Sequence, residues 1–205
     1  MLRRLLLADA SGGAALTAWN PGYLSPSATV AAANTELRAA TTATYANSRS
    51  LSPLSGDVYF SARCEKGSAA NYGFGITDAA VSLTSAGRYT GDQNSIGLWY
   101  EGRVYMGGTS IHMPGALTAS VDIEVAVRVA SRRVWLRRSG GAWIGGGDPA
   151  ANTTPTGTLG GTGALYIAGS LDPRTGGTAN ALIRLPTNPV GVTGVAPAGF
   201  TVGVP

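Results

Sequence analysis

A chain of 205 residues is long enough to bury one sizeable core, and thirty glycines with eleven prolines punctuate it too often for long helices. Charged residues make up only 13%, which is low for an ordinary cytoplasmic enzyme and leaves Ser, Thr, Asn and Gly to cover the surface, as in many secreted or particle-borne β-proteins. The net charge of +4 does not demand nucleic acid, and the lone Cys64 excludes an internal disulfide framework and a cysteine metal cluster.

The chain begins Met1-Leu2-Arg3-Arg4-Leu5-Leu6-Leu7-Ala8, then Asp9. This imitates a signal peptide, but the apolar run falls short of the roughly 7–15 residues of a working hydrophobic region. Residues 1–17 read instead as an anchoring arm, with Leu2, Arg3, Arg4, Leu5, Leu6 and Leu7 as its contacts and Ser11-Gly12-Gly13 as a joint; residues 18–205 read as one domain. Val30–Ala43 has helix-forming alanines with Glu36, Leu37 and Arg38, yet in a β-rich chain strand pairing overrides so weak a preference, and strands are expected there. Tyr45-Ala46-Asn47-Ser48-Arg49 reads as a loop whose Tyr45, Asn47 and Arg49 suit ligand contact.

Asp57–Glu65 alternates cleanly, with Val58, Phe60, Ala62 and Cys64 on one side and Asp57, Tyr59, Ser61, Arg63 and Glu65 on the other: a half-buried strand. Asn71–Thr77 follows as a glycine-interrupted strand. Gly87–Asn94 is a polar loop between glycines, and its Arg88, Tyr89, Asp92, Gln93 and Asn94 are the best binding candidates, because tyrosine offers contact area at low entropic cost and Asp or Asn can fix sugar hydroxyls or peptide groups. Ser95–Tyr100 and Arg103–Met106 make a hairpin about a two-residue Glu101-Gly102 turn, with Gly102 at positive φ. Val121–Ala130 and Arg133–Arg138 make a second hairpin, in which Trp135 faces opposite to Val134 and Leu136. Ala164–Gly169 and Ala179–Leu185 are further strands. About a dozen strands at this spacing predict an all-β antiparallel two-sheet sandwich. The uncharged stretch Leu185–Pro205 has the length of a membrane span, but four prolines and four glycines forbid a helix there, so no membrane insertion is expected.

Little in the chain offers chemistry. A glycanase needs paired carboxylates; Asp122 and Glu124 share a strand face, but no third carboxylate follows, and they read as charges on an exposed sheet face. His112, the only histidine, reads as a solvated loop residue. Asp92-Gln93-Asn94 and Asp148–Asn152 read as loop caps, and Gly145-Gly146-Gly147 lacks the Lys-Ser/Thr of a phosphate loop. No cofactor, metal or nucleic acid is expected.

Several segments in order resemble the SPRY domain, a concanavalin-like β-sandwich (jelly roll): S-G-D-V-Y-F-S-A (55–62), Y-G-F-G-I-T (72–77), S-I-G-L-W-Y-E-G-R-V-Y (95–105), the run 121–143 through Trp135 to Trp143, A-L-Y-I-A-G-S-L (164–171) and P-A-G-F (197–200). Together they span about Trp19 to Phe200. The Gly-Asp usual before the long strand is here Ser120-Val121-Asp122, a small departure. The loop 145–155 resembles that of SPRY-like domains in tailed-phage structural proteins, and the resemblance implies a buried Trp135. The expectation is therefore a non-enzymatic virion structural protein, a head decoration or fibre or a tail adsorption component. It would be present in several copies or as a homo-oligomer, held to other virion proteins by its arm and binding a host surface glycan or protein through its loops. The alternative is a carbohydrate-binding, lectin-like module.

Overall fold

A computed structural model describes residues 18–39, 45–65, 71–82, 94–117, 120–172, 181–186 and 192–203. Fifteen strands and no helix occur among them. In chain order they are β1 (Trp19–Leu24), β2 (Ala28–Ala31), β3 (Glu36–Ala39), β4 (Ala46–Ser50), β5 (Asp57–Glu65), β6 (Asn71–Asp78), β7 (Ser95–Trp99) and β8 (Arg103–Met106). There follow β9 (Thr109–His112), β10 (Ser120–Arg128), β11 (Arg133–Arg138), β12 (Gly157–Thr158), β13 (Leu165–Asp172), β14 (Leu182–Arg184) and β15 (Thr201–Val202). One sheet runs β1-β4-β13-β6-β7-β8-β9 and the other β12-β11-β10-β5-β14-β3-β2, with β15 added to β5. Every pairing is antiparallel except that of β15, and the two sheets face each other as the expected sandwich.

Period-two patterning explains the core. Val58, Phe60, Ala62 and Cys64 of β5 meet Tyr72, Phe74 and Ile76 of β6, Ile96 and Leu98 of β7, and Val125, Val127, Val134 and Leu136 of the β10–β11 hairpin. Phe60 and Phe74 pack edge to face across the layers, with centroids 6.1 Å apart. Burial holds the Cys64 thiol well above its ordinary pKa, so it serves as a small hydrophobe in the core.

Where helix and strand competed, β2 and β3 form a hairpin with Val30 opposite Leu37. Its loop places Ala32, Ala33 and Asn34 in the left-handed region (φ 51, 54 and 65), so the alanine run is spent on a turn. Residues 40–43 lie outside the described residues.

Three local expectations are corrected. In the β7–β8 hairpin Trp99 pairs with Arg103, so the loop is the three residues Tyr100-Glu101-Gly102; the amide N–H of Gly102 donates to Trp99 O (2.8 Å) and Gly102 takes φ +76 as its last member. No side chain fits there, since a Cβ would overlap the Gly115 carbonyl. His112 is the last residue of β9, half-buried, with Nε2 3.2 Å from Thr156 O, and is not a solvated loop residue. Finally, β5 is half-buried only towards its ends: Tyr59 and Ser61, in the middle of its outer side, are as inaccessible as its core residues, while Arg63 on that side stays exposed. That face is covered by the segment 192–203, whose Val192, Ala196 and Phe200 pack with Trp143 on Tyr59, Ala126 and Trp135. Trp135 is thus buried as expected, but on the outside of its sheet, with Nε1 donating to Thr153 O (2.9 Å).

Candidate functional site

The expected loop 45–49 is a strand from Ala46 onward, with Tyr45 just before it. In β4 the inward positions are Ala46, Ser48 and Ser50, and Ser50 Oγ accepts the Ile167 amide (3.2 Å) while donating to Ser52 O (2.8 Å). Small serines that bond to neighbouring backbone replace the apolar alternation by which a strand is recognised in a sequence, which explains the misreading. Tyr45, Asn47 and Arg49 therefore project together from the outer face of the seven-stranded sheet.

Register assembles that face. Arg49 lies opposite Ala168, Ala168 opposite Gly75, Gly75 opposite Gly97 and Gly97 opposite Tyr105; one step along, Asn47, Ser170, Gly73, Trp99 and Arg103 form the next row. Glycines at 73, 75 and 97 leave the middle strands bare, and the Trp99 indole lies flat in the space: a Cβ on Gly73 would stand 2.5 Å from its Cδ2. Tyr45 and Tyr105 meet Trp99 edge to face at 6.1 and 6.4 Å. The Arg49 guanidinium is sandwiched between the rings of Tyr23 (3.7 Å) and Tyr166 (4.3 Å), and its Nη1 donates to Ala79 O (3.3 Å). Tyr23, Arg49, Tyr105 and Tyr166 are partly exposed, whereas Tyr45, Asn47 and Trp99 are buried beneath them; Asn47 Oδ1 accepts from Ser170 Oγ at 2.5 Å. Asn47 is thus a structural hydrogen-bonding group, and the groups on this face that a ligand can touch include Arg49, the exposed Arg103 and three tyrosines.

Val81 packs into the same aromatic cluster, and its carbonyl accepts from Tyr23 Oη (3.2 Å). Of the second candidate loop only Asn94 lies among the described residues. Arg88, Tyr89, Asp92 and Gln93, and the arm residues Leu2, Arg3, Arg4, Leu5, Leu6 and Leu7, lie outside them. Asn94 O accepts the Asp78 amide (2.9 Å), and its side chain abuts Gly160 and Gly161. These glycines border a cleft of about 380 Å³ at the sandwich end, lined by Leu54, Val129, Ala130, Arg132 and residues 161–165. Arg132 is held there by two of its nitrogens: Nη2 pairs with buried Asp78 (2.5 Å) and Nη1 donates to Gly163 O (2.8 Å). Nothing in the sequence signalled this long-range pair.

The carboxylates of the eight-stranded sheet are likewise held by arginines. Asp57 pairs with Arg128 (2.5 Å), Asp122 with Arg63 (3.4 Å), and Glu36 with both Arg38 and Arg184. The Arg38 and Arg184 hydrogen bonds hold the Glu36 carboxyl below its ordinary range against the opposing effect of burial. Glu124, expected on an exposed face, is instead inaccessible and bonded by Arg137 Nε (2.5 Å), while the Arg137 guanidinium stacks on Trp143 at 4.1 Å. Burial, reinforced by Glu124, pushes the Tyr59 phenol well above its ordinary range. Among the described residues no three His, Cys, Asp or Glu side chains gather as metal ligands, and no helix is long and apolar enough to cross a membrane.

No protein-family profile and no curated relative matches the chain. Solved structures do. The SPRY domain of human HERC1 superposes with a TM-score of 0.58 at 10% identity, over 82% of this chain and 96% of that one. The fold is SPRY-like. The PSpry domain of TRIM65 matches with a TM-score of 0.55 at 8% identity, covering 83% of this chain and 89% of that one. Stonustoxin matches with 0.53 at 11% identity; there the SPRY-like chain corresponds to 27% of the longer protein.

Proposed function

We propose that this SPRY-like sandwich is a non-enzymatic recognition module used as a structural component of a virus particle, where repeated copies turn weak contacts into avidity. The observation that carries the recognition reading is the outer face of the seven-stranded sheet, where Tyr23, Arg49, Tyr105 and Tyr166 stand partly exposed on a rigid, glycine-flattened floor. Aromatic and arginine side chains fixed by such a scaffold are the residue types that dominate binding surfaces. The carboxylates support a binding role: Asp122 and Glu124, the pair a glycanase would use, are bound to Arg63 and Arg137. The virion setting is supported by a sequence rich in Ala, Gly and Thr with Lys66 as its sole lysine. Mass spectrometry of purified particles from the source should find the chain in fixed stoichiometry, and deletion of residues 1–17 should abolish incorporation while leaving the sandwich folded. Recovery of the intact chain only from the soluble fraction of the host would overturn the particle reading.

The same aromatic face favours a second reading, a lectin-like module, because tyrosine rings and a guanidinium are suited to sugar faces and acidic glycans. A glycan array separates the two: bound glycan lost in both Arg49→Ala and Tyr166→Ala supports the lectin, and an empty array supports the architectural role.

A further inference from the structure

The C-terminal segment 192–203 is seated on the eight-stranded sheet as a ligand would be. β14 pairs with β5 only at Arg63–Glu65, and β10 occupies the whole opposite edge, so the half of β5 nearer Asp57 has an open edge. β15 fills part of it with two residues in parallel register, Thr201 opposite Val58 and Val202 opposite Tyr59, and the Gly203 amide donates to Tyr59 O (2.8 Å). Beside this edge, Phe200 meets Trp135 edge to face at 6.4 Å and lies under the Arg128 guanidinium at 5.0 Å. Tyr59 Oη donates to Thr193 O (2.7 Å), and the Thr193 amide donates to Ser61 Oγ (2.9 Å).

Three observations set this segment apart from the core strands. Its backbone pairing is short and parallel, and addition of a strand to an open sheet edge is a general mode of peptide recognition. The seating is imperfectly matched: Glu124 Oε1 and Thr193 Oγ1, two of the five buried side-chain polar atoms without a hydrogen-bond partner among the described residues, lie in it, and Gly194, at φ +79, lies against the Tyr59 hydroxyl and Glu124 Oε1. The segment also keeps apolar surface in water, with Val195 82% and Val202 38% exposed, two of the four large hydrophobic side chains left exposed among the described residues. The surface it covers holds Tyr59 and Trp135, with Trp143 packed beside it and Arg137 stacked on Trp143, the residue types of binding hot spots.

We propose that segment 192–203 is a displaceable internal ligand, and that the groove beneath it accepts the same segment from a second copy of this chain, linking copies by exchange. The occupant follows from fit: the groove already matches Thr193, Phe200 and the Thr201–Val202 backbone, and a second copy supplies an identical segment at no design cost. The link stands apart from the sheet-face recognition surface, so either can fail without the other.

The test uses the intact chain and a fluorescent peptide of residues 192–203. Phe200→Ala weakens the chain's own segment, and Gly194→Ala does so at a separate point by striking Tyr59 and Glu124. At least one folded variant should bind the peptide about tenfold more tightly than the unaltered chain, whose own segment competes. A peptide carrying Phe200→Ala should fail to compete. Two differently tagged intact chains, mixed at high concentration and warmed below their unfolding transition, should then co-purify. Folded variants that ignore up to about 1 mM peptide overturn the displaceable groove. Peptide binding without co-purification of the tagged chains overturns the second copy as occupant.

Discussion

The buried Glu124–Arg137 pair makes a sharp energetic prediction, because its two members are unequally trapped. The Glu124 side chain is 0% exposed and Arg137 is 18% exposed, with its guanidinium stacked on Trp143. In Glu124→Gln the guanidinium keeps that stacking and reaches water, so the cost is roughly one charge-assisted hydrogen bond, about 1–2 kcal/mol. In Arg137→Met the carboxylate stays sealed beneath Tyr59 and Gly194, and an uncompensated buried charge costs about 3–4 kcal/mol. The double variant removes the stranded charge and should recover about 2 kcal/mol relative to Arg137→Met, so the two changes fall well short of additivity, as expected for contacting residues. In urea the gap between the two single variants should appear as a midpoint difference of about 1 M with the slope unchanged; on heating, Arg137→Met should melt roughly 10 °C below the unaltered chain. Equal costs for the two single variants, or a double variant no better than Arg137→Met, would refute the claim that burial asymmetry governs this pair.

Other substitutions probe the site and the sheets. Gly75→Ala would drive a methyl into the Ile96 carbonyl, a backbone atom that cannot rotate away, so circular dichroism should show loss of the folded state at a temperature where the unaltered chain is intact. Arg49→Met keeps the aliphatic stem but loses two aromatic faces and the Ala79 hydrogen bond; it should cost about 1–2 kcal/mol in chemical denaturation, and Arg49→Lys should recover only part of that loss. Glu36 titrates below its ordinary pKa in the fold, so its contribution to stability is present above the unfolded-state value and is lost as pH falls through the lowered folded-state value. Glu36→Gln should accordingly flatten the acid limb of a stability-versus-pH curve, and since its arginine partners are half exposed the loss near neutral pH should stay at or below about 1 kcal/mol.

The elements that could be read from the chain are those whose inward positions carry bulky apolar groups. β5 matches its expected span, Asp57–Glu65, and β6, β7, β10 and β11 lie within two residues of theirs, because Val, Ile, Phe, Leu and Trp at every second position admit one register on a buried face. β4 was hidden because Ala46, Ser48 and Ser50 fill its inward positions and their role is to bond to backbone. The same concealment turned Tyr45, Asn47 and Arg49 from three loop residues into one side of an aromatic sheet face, where Asn47 is sealed under its neighbours.

Alternation along a strand tells which residues share a face; it cannot tell what lies over that face. From the sequence alone follow the two-sheet sandwich, the hairpins and the division of β5 into Val58, Phe60, Ala62 and Cys64 against Tyr59, Ser61 and Arg63. Only the tertiary structure decided that the outer side of β5 is buried at Tyr59 and Ser61, that Trp135 packs outside the sandwich, and that Glu124 is locked to Arg137. The cover is a segment more than a hundred residues further along the chain, brought over Tyr59 by Thr193 and over Trp135 by Phe200. Contacts of that range depend on the path of the whole backbone, which no local periodicity encodes.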